Sequence, residues 1–256
     1  MGLSTGMETD DFIDDSLTRP LQIVYRDEHL VGVFKPCGLV VHRGSSTLPG
    51  EPILLQALRD QLGCHVYPVH RLDRPTAGLI LFGLSGTSAA KMVDLFTRRR
   101  VTKHYQALVC GQTPEQGAIH QPLHKHSDEQ TLDHKFQQAS TEYLTLARFA
   151  PKPSSAGLKG ATTDDCELGF SLLEIQPLTG RTHQIRRHLQ HIGHPVVGDQ
   201  RYGNTSINPH FYQRTAVFRM LLTSMRLDFR HPYSNERVSI MTGRGSQFDQ
   251  AVDAIA

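Results

Sequence analysis

Apolar residues fall mostly in short runs separated by turn-forming clusters, the pattern of strands rather than of long amphipathic helices. LQIVY at 21–25 and LVGVFK at 30–35, joined by the polar RDEH, predict a β-hairpin. Pro52, the spacing of Ile53, Leu54, Ala57, Leu58 and Leu62, and Gly63 just beyond are start and stop signals for a helix with its apolar stripe toward the core. GLILFGLS at 78–85 reads as a buried strand, and SAAKMVDLF at 88–96 as a helix beside it. Further strands are predicted at HYQALVCG (104–111), STEYLTLARF (140–149), ELGFSLLEIQP (167–177) and LLTSMRLDF (221–229). THQIRRHLQHI (182–192) is a helix candidate stopped by Gly193 and Pro195. The Pro-, Gly- and Ser-rich stretch 151–165 reads as an exposed hairpin loop, not a domain linker.

Strands outnumber helices and no regular βαβ alternation appears, which predicts an α+β domain with a largely antiparallel central sheet. There is no internal repeat or low-complexity tract. The expected organisation is a disordered acidic tail over 1–19, one domain over 20–245 and a short C-terminal tail over 246–256. The first segment holds Glu8, Asp10, Asp11, Asp14 and Asp15 against Arg19 alone. The remaining chain carries 26 basic and 20 acidic residues, a net charge of +6 against +2 overall. A basic body suits a polyanionic partner, since Lys and Arg on phosphates release counterions. The four cysteines, at 37, 64, 110 and 166, form no CxxC pair, which argues against a zinc ribbon, a redox motif or a disulfide framework. No run of eighteen apolar residues and no signal-peptide pattern occurs, so a cytoplasmic location without membrane contact is expected.

The most informative stretch is HRLDRPTAGLILFG at 70–83, where Asp73 lies between Arg71 and Arg74 at a turn into a buried strand. A rigid strand is a common support for a catalytic loop residue, but this segment alone better describes a surface ion pair or a turn-capping Asp. Other segments change that balance. HRLD followed by Pro-Thr and a Gly-led apolar strand resembles the signature of RluA-type pseudouridine synthases, and KPCGLVVHRG (35–44), KHYQALVCG (103–111), GRTHQIRRHLQHIGHPVVGDQRYG (180–203) and LLTSMRLDFRHP (221–232) fit that family in the same order. The resemblance runs from about Leu21 to about Ile240. It departs at Ala77, where the family usually has Ser.

The resemblance implies a pseudouridine synthase fold, with a mixed sheet, flanking helices and a central active-site cleft, and an isomerisation that needs no cofactor and no metal. It assigns the catalytic carboxylate to Asp73, its cationic partner to Arg186, and stacking on the target uracil to Tyr105. A carboxylate in a water-excluding pocket needs such a fixed cation, because burial opposes its charge. Arg71 resembles the family arginine that enters the space left by a flipped nucleotide. Lys35 and Pro36 match the motif that shapes the pocket floor, with Ile185 as further support. Arg74, Arg98, Arg99, Arg100, Lys103, Arg181 and His183 are candidates for RNA contact. The match is nearest to tRNA-modifying members, implying tRNA as partner, uridine 65 of the T-stem as target and no obligate protein partner. About twenty residues precede the first strand, so no additional N-terminal RNA-binding domain is expected.

Ribosomal RNA stays open as the substrate, and a noncatalytic RNA-binding module stays open as another class. A metal site is a weaker alternative. His120, His124, His126 and His134 can approach one ion and His188 and His191 are a helical turn apart, yet no HExxH or cysteine ligand pair accompanies them.

Overall fold

The short apolar runs pair side by side, and the computed structural model, which describes residues 20–44, 47–124, 135–151 and 169–256, gathers them into one ten-stranded sheet. β1 (Ile23–Arg26) and β2 (Leu30–Lys35) form the expected hairpin. Its turn is closed by Asp27, whose Oδ1 accepts the amides of His29 and Leu30 at 2.7 Å each. β2 pairs antiparallel with β4 (Ala77–Gly83), every residue of which is buried. β4 in turn runs parallel to β11 (Leu222–Arg230), with Thr223 opposite Ala77 and Ser224 opposite Gly78. The two backbones approach so closely there that a Cβ on Gly78, which has φ of +106°, would lie 2.2 Å from the Ser224 carbonyl oxygen.

The sheet continues antiparallel through β5 (Thr102–Cys110), β10 (Phe170–Pro177) and β9 (Thr141–Phe149) to the short edge strand β6 (Gln116–Ile119). β3 (Tyr67–Pro68) pairs with β4, and β12 (Arg237–Met241) with β11. β7 (Leu123–His124) and β8 (Phe136–Gln137) make a separate ribbon. One parallel junction in an otherwise antiparallel sheet makes it mixed, as the predicted fold class requires.

Helices cover both faces. α1 (Leu54–Leu62) buries Leu54 and Leu58 and ends at Gly63 in the left-handed conformation. α2 (Gly86–Thr97) begins two residues before its predicted start, where Ser85 Oγ accepts the Ser88 amide at 3.1 Å. α3 (Gln184–His191) lies within the predicted 182–192 segment. Alternation along β5 sends Tyr105, Ala107 and Val109 into the cluster shared with α1 and α3, and Leu108 and Cys110 into a second cluster on the opposite face.

That second cluster overturns the C-terminal tail expected over 246–256. Residues Ser246–Ile255 form a helix, α5, which buries Phe248, Ala251, Val252 and Ile255 against Phe211 of α4 (Ile207–Thr215) and the back of the sheet. The i, i+3, i+4, i+7 spacing makes one continuous apolar stripe, and each large side chain favours docking by roughly 1.5–3 kcal/mol before chain entropy is subtracted. α4, β6 and β12 were likewise absent from the pattern-based reading. The acidic tail over 1–19 and nearly all of the 151–165 loop lie outside the described residues. Among the described residues, no helix is long and apolar enough to cross a membrane.

Candidate active site

The loop carrying Asp73 is pinned from both sides. Leu72 is buried in the core cluster shared with α1 and α3, and the Thr76 amide donates to the Asp73 carbonyl at 3.0 Å, closing a tight turn before β4. Opposite this turn, the chain leaving β2 supplies a second set of ties. The Gly38 amide donates to the Arg74 carbonyl at 2.9 Å and the Cys37 thiol to the Pro75 carbonyl at 3.1 Å. Lys35 has no exposed surface, and its Nζ donates to the carbonyls of Pro36, Leu39 and Arg74 at 2.9, 2.8 and 3.0 Å. Burial brings its ammonium down to about 7, Arg219 and Arg74 act in the same direction, and Cys37 and Asp73 oppose them. Three carbonyls around one buried ammonium act as a clamp on the Asp73 turn.

His70, first residue of the HRLD string, takes the place of a strand neighbour. Its Nε2 accepts the Leu81 amide at 3.0 Å while its ring stacks on Phe96. Burial, reinforced by Lys103, lowers it to about 3, so the neutral ring remains an acceptor and directs the chain from β3 toward Arg71 and Asp73.

Arg186, in the first turn of α3, reaches Asp73 across 113 positions of sequence, with Nη1 3.3 Å from Asp73 Oδ2. The other edge of its guanidinium is held by Asp199, which accepts from Nε at 2.7 Å and Nη2 at 2.9 Å. Two anions therefore face one buried arginine. Burial opposes its charge, but the bonds and charge of Asp199, then those of Asp73, raise it above its ordinary value. Burial would raise the Asp199 carboxyl, yet Arg186 and the amides of Tyr202 and Arg201 bring it below its ordinary value. Asp199 lies within the matched 180–203 segment, but sequence reasoning gave it no role. Its signal is a charged residue separated by a single glycine, Gly198, from the apolar Pro195-Val196-Val197 run.

Tyr105 lies on β5 between Ile175 of β10 and Ser224 of β11. Burial, followed by the charge of Asp73, pushes its phenol well above the ordinary value, with the Ser224 hydroxyl opposing, so the ring is neutral and mostly apolar. Asp73, Tyr105 and Arg186 line one cleft of about 720 Å³, within the range of roughly 300–1,000 Å³ usual for ligand pockets.

Arg71, Arg99, Lys103, Arg181, His183 and Ile185 line the same cleft. Lys103 Nζ donates to the Thr179 carbonyl at 3.0 Å, and burial, with Arg99 adding to it, lowers Lys103 to about 8. Arg181 Nε donates to the Gln138 carbonyl at 3.2 Å. Other candidates lie outside the cleft lining. Arg74 pairs with Glu51 and donates to the Gly38 carbonyl, Arg98 pairs with Asp94 one helical turn back on an exposed surface, and Arg100 is exposed. Lys35 and Pro36 sit behind the Asp73 turn rather than in the pocket. Of the histidines weighed as metal ligands, His126 and His134 lie outside the described residues. His188 uses one ring nitrogen on Thr141 Oγ1 and the other on the Gln121 carbonyl, each at 2.9 Å. Among the described residues no group of three potential ligands gathers.

A family model described as RNA pseudouridylate synthase matches residues 29–191. A tRNA pseudouridine synthase C of Vibrio cholerae is 40% identical over 228 residues, covering 87% of this chain and 91% of the relative. One from Haemophilus ducreyi is 39% identical over 224 residues, covering 86% and 89%. Among solved structures, human RNA Pseudouridylate Synthase Domain Containing 1 superposes with a TM-score of 0.67 at 26% identity, over 87% of this chain and 83% of that one. Human RNA Pseudouridylate Synthase Domain Containing 4 gives 0.70 at 23% identity over 94% of each chain, a likeness of fold.

Proposed function

The chain belongs to the RNA pseudouridylate synthase family, and from that premise we propose that it converts uridine 65 in the T-stem of tRNA to pseudouridine, with Asp73 as the carboxylate that acts on the ribose. The observation that carries this reading is the placement of Asp73 beside Arg186 in a cleft whose wall includes Tyr105. Relatives named as tRNA pseudouridine synthase C support tRNA over ribosomal RNA as the substrate.

The reaction is an isomerisation. The N1–C1′ bond breaks, the uracil turns, C5 bonds to C1′, the proton on C5 leaves and N1 ends protonated. No electrons are gained or lost, so the residues must orient, exclude water and manage charge and one proton. Arg186 engages Oδ2 of Asp73 and leaves Oδ1 toward the sugar, where it acts at C1′ or on the C2′ proton. The neutral Tyr105 ring lies against the uracil, with its hydroxyl near C5. Reaching a paired uridine requires flipping it out, at a cost of a few kcal/mol. Arg71, exposed at the cleft, stacks in the vacated space, and Arg99, Lys103 and Arg181 hold phosphates beside it.

The test is pseudouridine mapping of an unmodified tRNA transcript incubated with purified protein. Product is expected at position 65 and absent when that uridine is replaced by cytidine. Asp73→Asn should bind the transcript with near-normal affinity and form no product. Product from Asp73→Asn would overturn the catalytic assignment, and product confined to ribosomal RNA would overturn the substrate.

A further inference from the structure

The two oxygens of Asp73 face different donors. Oδ2 is taken by Arg186, whereas Oδ1 lies 4.0 Å from Nε2 of His183, a residue until this point considered only for RNA contact. His183 precedes α3 in the left-handed conformation, with φ of +53°, which turns its ring back toward the Asp73 loop. Its Nδ1 lies 3.0 Å from the Tyr202 hydroxyl. Tyr202 is held in turn by Asp199, which accepts the Tyr202 amide at 3.0 Å, and its ring sits 5.0 Å from the Arg186 guanidinium carbon. One buried carboxylate, Asp199, thus anchors both arms that reach Asp73: Arg186 directly, and His183 through Tyr202.

Electrostatics selects the tautomer. Were Nδ1 to carry the proton, the Nε2 lone pair would face the Asp73 carboxylate, an unfavourable pairing between two largely buried acceptors. With the Tyr202 hydroxyl donating to Nδ1, Nε2 carries the proton and presents it to Oδ1. The distance is too long for a formed hydrogen bond, but such contacts tighten when substrate closes a site.

We infer that His183 and Tyr202 form a second positioning arm, in which the Tyr202 hydroxyl sets the imidazole tautomer and Nε2–H orients Oδ1, the Asp73 oxygen that acts on the sugar. This inference rests on the function proposed above. Burial lowers His183, Asp73 opposes that, Arg186 and Arg201 add to it and Asp199 opposes it, so the ring is neutral at pH 7. Protonation at lower pH would tie Oδ1 in a charge-assisted bond and withdraw it from the ribose.

Single-turnover pseudouridine formation and tRNA affinity, measured from pH 5 to 8 for wild type, Tyr202→Phe, His183→Gln and His183→Leu, test the arm. For Tyr202→Phe, affinity should stay within about twofold while the rate at pH 7 falls about five- to tenfold, the scale of one lost hydrogen bond. His183→Gln, whose amide can donate from near the Nε2 position, should retain more activity than His183→Leu, and the acid limb of its pH profile should move to lower pH. If His183→Leu does not fold, Tyr202→Phe, which removes a single oxygen, decides the matter. Wild-type rates in Tyr202→Phe, or equal losses in Gln and Leu with an unmoved acid limb, would overturn the arm while leaving the enzyme assignment intact. No product from wild type on any RNA would overturn the function itself, and this inference with it.

Discussion

Replacing Asp199 by Asn removes the anion beneath Arg186 without changing side-chain size. Asp199 has no exposed side-chain surface and Arg186 only 6%. The carboxylate accepts four bonds, from Arg186 Nε and Nη2 and from the amides of Arg201 and Tyr202 at 2.9 and 3.0 Å. An amide keeps one accepting oxygen and turns an NH₂ group toward an arginine that can only donate. Taking one partner from a buried ion pair costs about 3–5 kcal/mol, because the remaining charge keeps its desolvation penalty. For a chain of this length about 2–4 °C is lost per kcal/mol, so the midpoint of thermal unfolding should fall by roughly 10 °C at pH 7. The pH dependence has a definite sign. The folded-state carboxyl lies below its ordinary 3.8, so its stabilisation is fully present above that value and is lost only as pH falls through the lower, folded value. Urea unfolding of wild type and Asp199→Asn should therefore show a constant difference from pH 7 to about 5. The double variant Arg186→Met with Asp199→Leu should recover much of the lost stability, since apolar side chains can replace a buried pair, and should form no pseudouridine. A deficit below about 1 kcal/mol, or one that closes between pH 7 and 5, would refute the ion-pair reasoning.

Two further outcomes follow from buried lysines. Lys103, brought down to about 8 by burial and then by Arg99, is charged below that pH and neutral above it. The slope of log affinity for tRNA against log salt should become shallower by about 0.7–0.9 between pH 7 and 9, and Lys103→Gln should abolish that change; an unaltered slope in wild type would remove Lys103 from the phosphate contacts. Lys35→Met leaves three carbonyls without their shared donor and should destabilise the fold by about 2–3 kcal/mol in urea unfolding, with a fall in pseudouridine formation exceeding the fraction unfolded because the Asp73 turn loosens. Native stability together with native activity in that variant would show that the clamp is dispensable.

Legibility in the sequence followed the range of the interactions concerned. The β1–β2 hairpin, the fully apolar β4 and the Pro52-to-Gly63 helix are decided by neighbours a few positions apart, and each forms near its predicted position. α5 was equally local, since Phe248, Ala251, Val252 and Ile255 carry a clear helical period. Its position after the last strand led to its being read as a tail, although the sheet face it covers needs just such a stripe. Arg74 shows the reverse dependence on the fold: beside Asp73 in sequence it is a candidate for RNA contact, and the turn brings its half-exposed side chain to Glu51.

The sequence by itself determined where the longer strands form, that the body is basic, and which motifs place the chain among pseudouridine synthases, because periodicity, charge and ordered motifs are properties of the chain alone. Only the tertiary structure decided that β4 would pair parallel with β11, that Arg186 would span 113 residues to Asp73, and that Asp199 would anchor both arms reaching that carboxylate. Those contacts join residues brought together by the order of strands in the sheet, an order set by the sum of many burial terms and written in no local stretch of sequence.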